Sequence, residues 1–215
     1  MIELIIHQIW IGENKRPDMW INTWKEEVEK KPNWSYKLWT ENEIKELELY
    51  NSDLYEKEKD YACKVDILRY EILNKFGGVY VDADVVLLNP KFFELFENNE
   101  NELCVGKEPD KNLLSNSIIA CRKNSNIMKH IIMECRNNYI LNRHKSYPYQ
   151  VTGPYLITNM YNKYKLPITI YPSILFYPIP WNRIQDIKMH EKNKYPYSYT
   201  FQYGYTTNNL SKKIK

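Results

Sequence analysis

Asp82 and Asp84 stand two positions apart at the end of the short apolar run Gly78 to Val81. In an extended chain successive side chains alternate, so Tyr80, Asp82 and Asp84 fall on one face while Val79, Val81, Ala83 and Val85 take the other. Two ionised carboxylates that close repel unless a cation lies between them, and their oxygen ligands suit a hard divalent ion, Mn²⁺ or Mg²⁺. An ion held by only one or two protein carboxylates completes its shell with water and substrate phosphates, which points to a nucleoside diphosphate group. For the tripeptide alone, the alternative is a solvated acidic turn after a strand.

The segment just before it carries the second chemical feature. Tyr61 to Phe76 has helical periodicity, with Val65, Leu68, Ile72 and Phe76 forming a narrow apolar stripe and Gly77 suited to the C-terminal cap. Arg69 projects about 40° around the axis from Val65, at the margin of that stripe, and Asp66 lies about 60° further on. A partly buried arginine needs a partner. Two readings stand: a local Asp66–Arg69 ion pair three residues apart, or a pair facing a ligand, Asp66 accepting from sugar hydroxyls and Arg69 offering its planar fork.

The surrounding elements read as an α/β chain that begins with a strand. Leu4 to Ile11 is a buried strand candidate, Asp18 to Lys31 a helix with Trp20, Ile21, Trp24 and Val28 on one side, and Tyr36 to Trp39 a short strand. Thr40 with Glu43 three residues on resembles a capping box, opening a helix to about Tyr50. After the acidic pair the pattern predicts a helix near Pro90 to Glu97, strands near Leu103 to Gly106 and Ser117 to Ala120, and a helix from Asn126 to Asn138. From Tyr147 onward the proline-rich sequence reads as irregular, with a short helix after Gly153-Pro154.

Taken together, Lys64-Val65-Asp66-Ile67-Leu68-Arg69-Tyr70 and Gly77-Gly78-Val79-Tyr80-Val81-Asp82-Ala83-Asp84 resemble the signature of the DXD glycosyltransferases of family 32. That group includes initiating mannosyltransferases and bacterial capsule enzymes, and the same block recurs in the large clostridial glucosylating toxins. Ile6-His7-Gln8-Ile9-Trp10-Ile11-Gly12, Asn116-Ser117-Ile118-Ile119-Ala120 and Thr152-Gly153-Pro154 extend the likeness over roughly residues 5 to 155, and weaker similarity runs through Phe176-Tyr177-Pro178.

The resemblance implies a GT-A-like, Rossmann-like fold with a mainly parallel sheet flanked by helices. It also implies a retaining, metal-dependent transfer of a hexose from a UDP- or GDP-sugar to a glycan or other hydroxyl acceptor, as in polysaccharide biosynthesis. On that basis Trp10 stacks on the base, Asp66 and Arg69 hold the sugar, Tyr80 packs near the ribose, Asp82 and Asp84 serve ribose and Mn²⁺ or Mg²⁺, and Asn116 touches donor or acceptor. Asp82, Asp84 and Arg69 are the catalytic candidates. Judged by residue type alone, Trp10 is as readily a core aromatic at a strand end, and Asn116 as readily a turn residue. His7 reads as structural.

The chain departs from that pattern near its end, where relatives often carry histidine before a tryptophan and this sequence reads Tyr199-Thr200-Phe201-Gln202-Tyr203. Gln202 offers an amide oxygen, a poorer ligand than imidazole for Mn²⁺. That difference keeps a non-catalytic nucleotide-sugar or glycan-binding relative as the alternative. A haloacid-dehalogenase-like phosphatase with Asp82 as nucleophile is a further alternative, but it requires a later acidic pair, and the only aspartates after Asp84 are Asp110 and Asp186, far apart.

Composition sets the outer bounds. With 215 residues, 43% hydrophobic and 27% charged, the chain suits one packed domain over 1–215, with a core from about 4 to 180 and an irregular segment from 181. A net charge of +3, with basic residues dispersed apart from Lys212, Lys213 and Lys215, argues against nucleic acid as partner. Four widely spaced cysteines form no Cys-x-x-Cys pair and suggest free thiols in a reducing compartment. With no basic leader or long apolar span near Met1, neither a signal peptide nor a transmembrane helix is expected, which fits a cytoplasmic location.

Overall fold

A computed structural model describes residues 1–109, 111–192 and 195–213; Asp110 and Lys215 lie outside the described residues. In chain order the elements are β1 (Ile5–Ile9), α1 (Asp18–Val28), β2 (Ser35–Trp39), α2 (Glu41–Lys45), α3 (Ser52–Lys57), α4 (Tyr61–Phe76), β3 (Gly78–Val81) and β4 (Val85–Leu87). A 3₁₀ turn at Pro90–Leu95 follows, then β5 (Leu103–Lys107), β6 (Leu114–Cys121), α5 (Asn126–Asn142), α6 (Pro148–Val151), α7 (Pro154–Tyr164), β7 (Thr169–Tyr171), α8 (Ser173–Phe176) and β8 (Thr200–Gln202).

Six strands form one sheet in the order β2-β1-β3-β6-β5-β7. β1 pairs parallel with β2 and β3, and β5 parallel with β7; β6 alone runs against its neighbours. The sheet is therefore mainly parallel, as expected, and apolar clusters cover both faces. β4 and β8 make a separate antiparallel pair beside it.

The double glycine is what brings α4 and β3 together. Gly77 and Gly78 have φ of 68° and 93°, a region that suits glycine, and a Cβ on Gly78 would come within 2.6 Å of the Ile5 carbonyl oxygen. The helix thus reverses straight into a strand that lies against β1. His7 locks this corner: its Nε2 bonds the Gly77 carbonyl at 2.9 Å, and Trp39 Nε1 donates to its Nδ1 at 3.1 Å. Because Nδ1 accepts, the proton sits on Nε2, and burial holds the ring neutral with a pKa lowered to about 4 despite the Gly77 bond. The structural reading of His7 agrees with this placement.

Four expectations change in detail. α2 stops at Lys45 rather than near Tyr50, because the Tyr50 and Asn51 N–H groups are taken by the Glu71 carboxylate (3.2 and 2.9 Å) and a new helix, α3, starts at Ser52. α4 is buried well beyond its apolar stripe: Ile67, Tyr70 and Leu73 are covered while Val65 and Phe76 stay half-exposed. The helix packs on β3 and β6 on one side and on α5 and α6 on the other. The tail is also more regular than expected, with an eleven-residue α7, and with β7 and β8 completing two sheets. Finally, β3 ends at Val81, and residues 82–84 form a turn closed by Val85 N–H to the Asp82 carbonyl (3.0 Å). It is this turn, not strand alternation, that sets the two aspartates side by side.

All four cysteines are buried and unbonded. Among the described residues no helix is long and apolar enough to cross a membrane.

Candidate active site

A cavity of about 630 Å³ opens where β1 and β3 end, lined among others by Trp10, Tyr61, Arg69, Tyr80, Asp82, Asp84 and Tyr205. Its floor is a buried charge network. Arg69, 5% exposed, places Nη2 at 3.1 Å from Asp66 Oδ1 and Nη1 at 3.2 Å from Asp82 Oδ1, and Nη1 also donates to the Asn116 carbonyl. Its guanidinium lies over the Tyr80 ring, 4.5 Å from the centroid. Of the two readings of Asp66–Arg69, the local ion pair forms, and its arginine also reaches the acidic turn.

Each network member has further partners. Asp66 accepts from Asn116 Nδ2 (2.7 Å) and Thr152 Oγ1 (2.8 Å), and Asp82 Oδ1 accepts from the Tyr80 hydroxyl (2.7 Å). Asp84 differs. Its Oδ2 accepts from the Tyr205 N–H at 2.7 Å, but its Oδ1 is buried without a hydrogen-bond partner. Burial, and then repulsion from Asp82, raises the Asp84 carboxyl to about 7; burial raises Asp66 to about 6 against the pull of Arg69, and raises Asp82 as well.

An unsatisfied buried carboxylate oxygen beside a second carboxylate fits a divalent cation, whose charge would offset both the burial penalty and the repulsion. The donor set supports the same view: Asp84 Oδ1 and the outer oxygen of Asp82 are hard ligands. Among the described residues no group of three His, Cys, Asp or Glu side chains completes a site, so remaining ligands must come from water, phosphate or an amide. Gln202 does reach this place, but its Oε1 accepts from Ser117 Oγ (3.2 Å) and its Nε2 faces Asp82 Oδ2 (3.4 Å). Serving a cation requires the amide to turn over, which Ser117 permits because a hydroxyl can donate or accept.

Of the residues singled out in the sequence, Trp10, Arg69, Tyr80, Asp82 and Asp84 line the cavity, while Asp66 and Asn116 sit behind Arg69 and hold it. Trp10 is half-buried, edge-on to Tyr205 (5.5 Å between centroids), with Nε1 donating to the Asn14 carbonyl at 3.2 Å. Sequence reasoning assigned no role to Thr152, Tyr205 or the loop Thr206–Thr207. Tyr205 is tied at both ends, its N–H to Asp84 and its hydroxyl to the Lys15 carbonyl (2.6 Å), so the C-terminal segment straps the cavity to the loop after β1. No local pattern marks such long-range partners. The phosphatase alternative gains nothing here: Asp82 Oδ1 is engaged by Tyr80 and Arg69, and Asp186 is exposed.

This fold is similar to the GT-A fold of solved glycosyltransferases. Residues 14–104 match the family model described as a glycosyltransferase sugar-binding region containing the DXD motif. The chain is 36% identical over 93 residues to inositol phosphoceramide mannosyltransferase 3 of Schizosaccharomyces pombe, covering 39% of this chain and 24% of that protein. It is 37% identical over 93 residues to an uncharacterized glycosyltransferase, L373, of Acanthamoeba polyphaga mimivirus, covering 40% and 37%. The chain thus spans well under half the length of these relatives. Among solved structures it resembles the PaToxG glycosyltransferase (TM-score 0.58, 22% identity, 75% of this chain and 70% of that one). It also resembles the UDP-bound glycosyltransferase domain of the YGT toxin (TM-score 0.60, 10% identity, 79% of each). A glycosyltransferase involved in glycosylating the major capsid of PBCV-1 aligns over 98% of this chain and 99% of its own (TM-score 0.55, 10% identity).

Proposed function

We propose that this domain transfers a hexose from a UDP- or GDP-sugar to a glycan or other hydroxyl acceptor, with retention at the anomeric carbon and dependence on Mn²⁺ or Mg²⁺. The observation that carries this reading is the unpartnered Asp84 Oδ1, placed with Asp82 and Arg69 on the wall of one cavity large enough for a nucleotide. Asp84, Asp82 and, after its amide turns, Gln202 would hold the ion. When bound, it neutralises charge gathering on the departing diphosphate.

The protein's own residues account for the rest. Trp10, at the cavity wall, stacks on the base. Tyr80 and Arg69 fix the Asp82 carboxylate through Oδ1, so that Oδ2, once the Gln202 amide turns, meets the ligand already oriented. Asp66, held by Asn116 and Thr152 behind the cavity wall, keeps the Arg69 guanidinium in place. An acceptor hydroxyl then attacks the anomeric carbon on the face the diphosphate leaves, the carbon–oxygen bond to the diphosphate breaking while the hydroxyl proton passes to the departing diphosphate oxygen. A second reading, donor binding without turnover, draws on the observed orientation of Gln202, whose amide nitrogen rather than oxygen faces Asp82.

One experiment separates these readings. The protein is incubated with a panel of UDP- and GDP-sugars, with Mn²⁺ or EDTA, and both donor hydrolysis and melting temperature are followed. Hydrolysis of one donor that requires the metal supports the transferase. Stabilisation without hydrolysis supports the binding protein, and neither response to any donor refutes both.

A further inference from the structure

A cluster of exposed aromatic side chains shares none of the residues that line the cavity at the acidic turn. Tyr149 is 45% exposed and Trp181 37% exposed, although 32 positions separate them in the chain. Both face one cation, since Lys111 Nζ lies 6.0 Å from each ring centroid. Tyr147 stacks beside Tyr149 at 6.0 Å and 14° between planes, and Tyr155 flanks it at 5.8 Å. Solvent-exposed aromatics scattered singly are ordinary, whereas here two exposed rings distant in sequence face one ammonium and two further rings flank one of them.

The backbone ties this surface to both ends of the charge network. Tyr149 sits in α6, its Cα 2.7 Å from where a Gly153 Cβ would stand, and the intervening Thr152 donates to Asp66. Trp181 is held by Asn208, whose Nδ2 bonds the Trp181 and Tyr203 carbonyls at 2.8 Å each. Its Cβ lies 3.3 Å from where a Gly204 Cβ would stand, and the next residue, Tyr205, donates to Asp84. One ring thus leads within three residues to Asp66 and the other, through one glycine, to the segment that caps Asp84.

We propose that Tyr149, Lys111 and Trp181 form the acceptor subsite, and that its occupant is a carbohydrate. A pyranose presents one face of C–H bonds, which carry slight positive charge and settle on the negative face of an aromatic ring, and an edge of hydroxyls, which suit the three donors of an ammonium. Rings and ammonium here supply both on one surface. The identification as an acceptor subsite rests on the transferase reading above, whereas the prediction of sugar binding does not.

The test is saturation-transfer NMR with mannotriose, maltotriose, cellotriose and chitotriose as probes, without nucleotide, on the whole chain and on Tyr149→Ala, Trp181→Ala and Lys111→Gln. All three changes are on the surface, and melting curves check that each variant folds. At least one trisaccharide is expected to bind with millimolar affinity, weakened about five- to tenfold by each ring deletion. No binding by any probe, or binding unchanged in all three variants, overturns the proposal. So does binding of phosphatidylcholine–phosphatidylserine vesicles that needs these rings while no sugar binds, because the surface then serves a membrane. Ring-dependent sugar binding in a protein that responds to no sugar nucleotide would sink the transferase reading and leave the carbohydrate site standing.

Discussion

Asp84→Asn is expected to stabilise the metal-free protein at pH 8, although it alters a residue at the centre of the site. The Asp84 carboxyl rises from 3.8 to about 7, with burial as the larger cause and Asp82 the second. At 1.36 kcal/mol per pH unit this corresponds to about 4 kcal/mol borne by the ionised form. The side chain keeps partial contact with water, so about half of that, ~2 kcal/mol, is a fair expectation. Between pH 3.8 and 7 the folded state binds more protons than the unfolded one, so this group's contribution to stability falls as pH rises and levels off above 7. Asparagine keeps an acceptor for the Tyr205 N–H and carries no charge to repel Asp82. For a chain of this length ~2 kcal/mol corresponds to a melting temperature higher by roughly 4–8 °C at pH 8 in EDTA, shrinking as pH falls toward 4. Scanning calorimetry across that pH range is the assay, repeated with Mn²⁺, which should stabilise the wild type and not the variant. A variant that melts no higher than wild type at pH 8 in EDTA, or a difference independent of pH, would refute the reasoning that Asp84 is a carboxylate awaiting a cation.

Three further outcomes follow from particular contacts. Gln202→His supplies imidazole where an amide now points its nitrogen at Asp82, so Mn²⁺ affinity by calorimetric titration should rise about tenfold at pH 8 and lose that gain below pH 6. His7→Leu leaves the Gly77 carbonyl and Trp39 Nε1 without partners, which should cost about 2–4 kcal/mol in urea unfolding at pH 7. It should also remove one pH dependence: His7 titrates near 4 when folded and 6.5 when unfolded, so wild-type stability falls from pH 6.5 toward 4 and the variant should lack that contribution. Gly78→Ala forces a side chain into positive φ and against the Ile5 carbonyl, a loss of at least about 3 kcal/mol by the same urea assay.

The stretch from Tyr61 to Asp84 was readable in the sequence because its logic is local. Helical periodicity, two glycines at positive φ and a short apolar strand fix α4, the reversal and β3 within two dozen residues. Trp10 follows from β1, which the double glycine sets against β3. What was not readable depends on contacts far apart in the chain. Thr152 reaches Asp66 across 86 positions and Tyr205 reaches Asp84 across 121, and neither residue type announces such a role. β7 and β8 have three residues each, too short for a periodic signal, and exist because β5 and β4 offer them edges. The burial of α4 was understated for the same reason: periodicity shows an apolar stripe but not the second layer of helices, which covers the polar side and leaves Asp66, Arg69 and Glu71 to find partners inside. The orientation of Gln202 depends on Ser117, 85 residues earlier.

The central claim is that the acidic turn and the Asp66/Arg69 face of α4 serve one metal-bound diphosphate. An anomalous difference map at the manganese edge, from crystals grown with UDP and MnCl₂, tests it most directly. The account predicts a single strong peak roughly 2.2 Å from an Asp84 carboxylate oxygen, with diphosphate density reaching it from the cavity lined by Trp10 and Arg69. UDP bound elsewhere, or bound in that cavity with no manganese near Asp84, would contradict it.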